Sequence, residues 1–241
     1  MIVSHKYKYV FIQLPRSGST AIGKELRLNY DGIKTLRKHS TYHDFLKVAT
    51  QEERDYLVFS CIRNPLDSAV SAYFKYVTDH RHRFSDPKRI KWNTGLVSKL
   101  DNLVYRFLQR TNADFEKYFM TFYRVPYNNW ASLSHRQFDA VIHFEHLAED
   151  FEKVIQMLGI DLVRPLPVVN KTNRRDRGYL DYYTPRTIKH AKYVFGPFMK
   201  EWGYSFPAEW GDASISRWER FQFNLINYFR TFYWKHLRYR I

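Results

Sequence analysis

The chain has 241 residues, 44% hydrophobic and 18% aromatic, enough to bury a sizeable core at a length where β/α domains are commonly undivided. Its formal charge of +15 and pI of about 9.8 imply anionic partners, whether a bis-phosphorylated nucleotide, a sulfated or uronate-containing glycan, nucleic acid or a membrane surface, and charge alone does not choose among them. Cys61 is the only cysteine, which excludes an intrachain disulfide and fits a reducing compartment. No run of about 18 apolar residues occurs, and MIVSHKYKYV carries no apolar signal core, so a cytoplasmic protein is expected.

The first strong element is a β-branched and aromatic run, Tyr9 to Leu14, that reads as a buried strand and breaks at Pro15 into a Ser/Gly/Thr turn. A helix is expected from about Ser19 to Leu28. A strand, a small-residue turn and a helix N-terminus in that order direct backbone N–H groups at one point, where the helix dipole adds roughly half a positive charge. Arg16 adds a charge-assisted contact, and Ser17, Ser19 and Thr20 supply hydroxyls. The plain alternative is a turn in which Ser17 or Ser19 merely caps the helix. A Walker A loop needs G-x-x-x-x-G-K-[ST], and neither Gly18 nor Gly23 is followed by such a pair, which argues against an ordinary ATPase or GTPase.

A strand over 31–35 and a helix over 42–49 follow. Tyr56 to Ile62 then repeats the first architecture: a strand, Arg63 at its end, and Asn64-Pro65 as a helix start with Asn as N-cap and Pro at N1. Ser68 and Ser71 fall on one face of the helix expected over 65–77, within about two turns of Arg63, so that Arg63 and Ser71 are placed to grip one anion. Seen alone, either residue reads as ordinary surface. A mainly helical region to about 133, a strand over 139–144 and helices over 146–158 and 184–200 complete the order. Strands alternating with helices argue for an α/β fold, a P-loop-like parallel sheet with helices on both faces in a single domain. Its ligands belong beyond the carboxyl ends of the strands, where both phosphate loops fall.

The order of PRSGST after the first strand and RNPLDSAVSAY after a later one resembles the sulfotransferases that use 3′-phosphoadenosine 5′-phosphosulfate (PAPS). The likeness extends to Phe138–Ile160 and to Asn170–Phe206, with NKTN, RGYLDYY and WGYSF, and is nearest the carbohydrate enzymes. The resemblance implies that Arg16, Ser17, Gly18, Ser19, Thr20 and Ala21 hold the 5′-phosphosulfate, and that Arg63 and Ser71 hold the 3′-phosphate. It also raises Arg174, Arg175, Arg177 and Gly178, in the basic run KTNRRDRGY, as cofactor contacts, where the plain reading is a solvated loop. Many members have Lys in the first loop and this chain has Arg16, which still bridges oxygens and stabilises charge but does not act as a proton donor.

Sulfuryl transfer to an alcohol needs in-line positioning, donors for the leaving oxygen and a base for the acceptor hydroxyl. Arg16 and the loop amides take the second task. His39, in RKHSTYHDF after the second strand, is the expected base. The resemblance favours it over His43, although most of the ten histidines belong on the surface. Glu25 is an alternative base, although its place in the helix reads as solvated or structural, and Glu145 reads as a group that positions loops or accepts hydrogen bonds rather than abstracting a proton. A zinc reading of His39 and His43 fails for want of further ligands at a convincing spacing, and no metal is expected.

The segment Asp79–Trp92 is basic and irregular and is a candidate for an acidic acceptor or a mobile loop. Residues 1–210 are expected to form the catalytic domain. Residues 211–241 follow as an amphipathic helix with Trp218, Phe221, Leu225, Phe229, Phe232 and His236 on one stripe, packed on the domain, on a partner or on a membrane surface. A cytoplasmic, bacterial-type or viral sulfotransferase acting on a carbohydrate or other hydroxyl-bearing acceptor, releasing 3′-phosphoadenosine 5′-phosphate (PAP), accounts for both loops and the late segments. A P-loop kinase accounts for the first loop only. A nucleic-acid-binding protein accounts for the charge and aromatics but leaves Arg63 and Ser71 without a purpose.

Overall fold

The computed structural model describes residues 1–88, 96–129, 138–167, 177–211 and 214–237. In chain order its strands and α-helices are β1 (Ile2–Ser4), β2 (Tyr9–Ile12), α1 (Ser19–Asn29), β3 (Ile33–Lys34), α2 (Tyr42–Leu46), β4 (Leu57–Ile62), α3 (Pro65–Val77), α4 (Leu96–Thr111), α5 (Phe115–Phe122), β5 (Ala140–His143), α6 (Leu147–Met157), α7 (Pro185–Glu201) and α8 (Arg217–Phe232). The described residues fall into two compact units. One comprises residues 1–64, 128–129, 138–167 and 227–235, the other residues 65–88, 96–127, 177–211, 214–226 and 236–237.

The first unit is built on a five-stranded sheet of order β3-β1-β2-β4-β5. β2, β4 and β5 are parallel neighbours, as expected of an α/β fold, with Ile12 opposite Ser60 and Ile62 opposite His143. The sequence reading misses β1, which is antiparallel to both β2 and β3 and makes the sheet mixed. The physical reason is chain length. A parallel crossover needs a dozen or more residues, whereas Ser4 and Tyr9 are joined by a short turn in which Lys8 takes a positive φ of 51°, so the pair closes as a hairpin.

Side chains alternate across β2 and β4, and both faces are buried. Tyr9, Phe11, Phe59 and Cys61 form one face and pack in a cluster with Ile22 and Leu26 of α1 and with Phe151, Val154 and Ile155 of α6. Val10, Ile12, Val58, Ser60 and Ile62, on the other face, are no more than 2% exposed. Burial on both faces explains the continuous apolar character of these strands, and each such side chain contributes about 1.5–3 kcal/mol. The Tyr9 hydroxyl donates to the Tyr30 carbonyl at 2.8 Å, and the Tyr30 hydroxyl accepts from the Val163 amide at 3.0 Å, so both phenols keep a polar partner.

The second unit is helical and its core is aromatic. Leu66, Val70 and Tyr76 of α3, Phe115 and Phe119 of α5, and Val194, Phe195 and Met199 of α7 form one buried cluster. Phe119 lies 5.6 Å from both Phe115 and Phe195, centroid to centroid. α7 starts at a capping box in which Thr184 accepts from the Thr187 amide, with Pro185 at the first helical position. The Tyr183 hydroxyl donates to the Leu66 carbonyl at 3.0 Å, tying the lead-in of α7 to the start of α3.

Candidate active site

The carboxyl ends of β2, β4 and β5 lie side by side, so the segments leaving them share one sheet edge in the first unit. From β2 comes the loop Pro15–Gly18. Arg16 and Gly18 both have positive φ, 63° and 79°, the left-handed conformation that flanks a backbone N–H concavity suited to anions. At Gly18 only glycine fits comfortably: an added Cβ would stand 2.8 Å from the Phe144 ring and 3.5 Å from Leu147. Arg16 has no such freedom, and a non-glycine residue held there is the backbone strain that clusters at functional sites.

The loop serines brace the turn. Ser17 and Ser19 each donate a hydroxyl to the Leu14 carbonyl, at 2.9 and 2.7 Å, and both are buried. Their protons are therefore engaged inside the loop, while no side chain caps α1, whose N-cap is Gly18. A helix of 11 residues thus begins with its first amides directed at the loop without a capping side chain. Ala21 is the exception to that supply, because its amide donates to the Gly18 carbonyl at 3.0 Å. Thr20 is exposed and its hydroxyl accepts from the Lys38 ammonium at 2.9 Å. The Cys61 thiol, pushed upward in pKa by burial, donates to the Ser17 carbonyl and holds the loop to β4. It remains protonated and is not a nucleophile.

His39 is held on the same edge. Its Nδ1 lies 2.7 Å from the Gln13 backbone oxygen, at the root of the loop. A carbonyl only accepts, so Nδ1 bears the proton and the basic lone pair of the neutral ring is on Nε2. The Gln13 side chain also donates to the Ser19 carbonyl at 3.2 Å, and an added Cβ at Gly23 would stand 2.6 Å from that amide nitrogen. Gln13 thereby joins the histidine, the loop and the first turns of α1.

Arg63 stands at the end of β4 and is 9% exposed, with its guanidinium 4.2 Å from the centre of the Phe144 ring. The next amide, of Asn64, donates to Glu145 at 2.7 Å, so Glu145 positions the β4 loop. Phe144 thus touches Arg63 and closes against Gly18, linking the segments that leave β2 and β4 through one ring. Gln13, Lys38 and Phe144 escaped sequence reasoning. Gln13 and Phe144 act through geometry rather than reactive chemistry, and Lys38 is one cation among 39.

In the second unit, Ser71 is 2% exposed, and among the described residues its hydroxyl has no hydrogen-bond partner. A buried hydroxyl so placed costs free energy unless something else satisfies it, which is the property expected of a donor kept for a ligand. Arg177 lies over the Tyr182 ring at 4.4 Å, and Gly178 precedes a single turn over Tyr179–Tyr182. Arg174 and Arg175, and residues 89–92 of the Asp79–Trp92 segment, lie outside the described residues.

A model described as Sulfotransferase family matches residues 1–195. The chain belongs to that family. No curated protein and no solved structure matches it. Family membership makes it a PAPS-dependent sulfotransferase with PAPS as general sulfate donor and a hydroxyl-bearing acceptor. Among the described residues no helix is long and apolar enough to cross a membrane.

Proposed function

We propose that this sulfotransferase transfers the sulfuryl group of PAPS to a carbohydrate hydroxyl, with His39 as general base. The observation that carries the reading is the 2.7 Å contact from His39 Nδ1 to the Gln13 carbonyl, which assigns the basic nitrogen of a histidine at the root of the anion loop. PAPS supplies an activated sulfuryl group on a phosphate leaving group. The loop from Arg16 to Ala21 binds the 5′ end: Arg16 with charge, Gly18, Ser19 and Thr20 with the backbone at the start of α1, and Ser17 and Ser19 by holding the turn in shape. Lys38 adds a second positive charge beside Thr20. Arg63 takes the 3′-phosphate, oriented by Phe144, and Ser71 supplies a hydroxyl to that phosphate by its place in the motif. Arg174, Arg177 and Gly178 complete the nucleotide contacts, an assignment that rests on the resemblance.

As the acceptor oxygen bonds to sulfur, its proton passes to His39 Nε2, and the bond from sulfur to the 5′-phosphate oxygen breaks. Arg16, Lys38 and the α1 amides stabilise the charge that collects on that oxygen. A carbohydrate acceptor is favoured by the likeness to carbohydrate enzymes and by the chain's charge of +15, which suits an acidic polysaccharide.

The test is calorimetric titration of PAP into the wild type, Arg63→Ala and Ser71→Ala, with ATP as comparison, followed by label transfer from PAPS to acidic polysaccharides. Tight PAP binding, poor ATP binding and loss of affinity in Arg63→Ala are expected. A folded wild type that binds PAP no better than ATP would overturn the nucleotide assignment. PAP binding without transfer to any polysaccharide would overturn the acceptor.

A further inference from the structure

α8 is apolar on two sides. Phe223 is fully buried and Asn227 is 9% exposed, so one face is covered by protein. On another face Trp218, Phe221, Leu225, Tyr228, Phe229 and Phe232 are 63, 52, 43, 67, 62 and 51% exposed. Their spacing repeats at three and four residues, so they form one stripe along four turns of helix. Trp218 and Phe221 stack at 5.5 Å, and Tyr228 meets Phe229 edge-on at 5.8 Å, so each end of the stripe holds a pair of touching rings. A helix that needed only to pack on its own protein would present polar residues there.

At the start of this helix lies a pocket of about 460 Å³ lined by Lys200, Arg217, Arg220, Phe221 and Asn224. Its floor joins the stripe, because Phe221 belongs to both. The single acidic residue of α8, Glu219, is turned into a capping box: it accepts from the Ser216 amide at 2.7 Å and from the Ser216 hydroxyl at 2.9 Å. The pocket therefore keeps three cationic side chains from two helices, Lys200 from α7 and Arg217 and Arg220 from α8.

We propose that α8 is a membrane-docking surface that lies in the plane of an anionic bilayer, with the aromatic stripe in the headgroup and acyl boundary and the Lys200–Arg217–Arg220 pocket around a phospholipid phosphate. Charge complementarity selects this occupant. A second copy of the chain would bring equal basic pockets toward one another, whereas an anionic leaflet neutralises them. Trp and Tyr on the stripe suit an environment that is apolar at one end and wet at the other. This inference is independent of the acceptor and of the histidine's role.

The experiment is flotation of the full chain with phosphatidylcholine vesicles, with and without phosphatidylserine. The variants are Trp218→Ser/Phe229→Ser for the stripe and Arg217→Gln/Arg220→Gln for the pocket. All four side chains lie at the surface or the pocket rim, and unchanged PAP affinity would certify the fold. Binding to the phosphatidylserine vesicles is expected, weakened by salt, with a loss of about tenfold or more in each double variant. Failure to float, equal flotation by the variants, or a dimer in sedimentation that the stripe variant dissolves would each overturn it.

Discussion

His39 donates through Nδ1 to the Gln13 backbone carbonyl, 2.7 Å away, and that bond decides which nitrogen of the ring is basic. His39→Asn keeps a donor where Nδ1 stands but removes the proposed base. Turnover should fall by about 100- to 10,000-fold with PAP affinity unchanged. A variant that lost nucleotide binding in parallel with turnover would instead give His39 a role in shaping the loop.

Gly18 and Phe144 should prove energetically coupled. Gly18→Ala meets two costs, about 1–2 kcal/mol for the left-handed φ and a further cost for a Cβ 2.8 Å from the Phe144 ring. Moving that ring disturbs Arg63, which rests on it, so PAP affinity should fall together with the urea midpoint. Adding Phe144→Leu to Gly18→Ala relieves the crowding but not the dihedral. Part of the stability should return, and affinity should not. A Gly18→Ala protein equal to the wild type in both measurements would refute the coupling.

Arg16 holds a left-handed φ of 63° that asparagine tolerates better. Arg16→Asn should gain up to about 1 kcal/mol in urea denaturation while losing sulfuryl transfer, the trade expected where backbone strain serves a site. If stability drops instead, the arginine side chain holds the turn.

The parallel core and the two turns that lead from β2 into α1 and from β4 into α3 were legible in the sequence because each signal is local. Apolar runs ending in Pro15 or in Arg63-Asn64-Pro65 state a strand and its stop within a few residues, and α1 and α3 start where Ser19 and Pro65 place them. β1 was not legible because three residues carry little periodicity, and its pairing with β3 is set by the hairpin rather than by its own pattern. The links through Gln13, Lys38 and Phe144 depend on which strands become neighbours, and no window of sequence contains that. The serine hydroxyls show a finer limit. Spacing puts Ser17 and Ser19 in the loop, but only the fold turns both toward the Leu14 carbonyl.

Glu25 supplies a pH-dependent part of the stability. Its side chain is 2% exposed and receives two hydrogen bonds from Arg164, from Nε and Nη2 at 2.9 Å each, and a third from Asn29. The Arg164 hydrogen bonds hold the carboxyl below the usual glutamate range, against the upward push of burial. A carboxylate depressed in the folded state contributes stability that is present above the unfolded value, about 4.3, and is lost as pH falls through the folded one. Arg164→Met removes both bonds. Arg164 is 50% exposed and screened by water, so the expected cost at neutral pH is small. Without its partner the buried carboxyl moves upward, and the variant should begin to lose stability at a higher pH than the wild type on acidification. Glu25→Gln should flatten this part of the profile. Urea midpoints for the three proteins from neutral pH into the acid range decide the matter, and parallel curves for the wild type and Arg164→Met would rule out the assigned role.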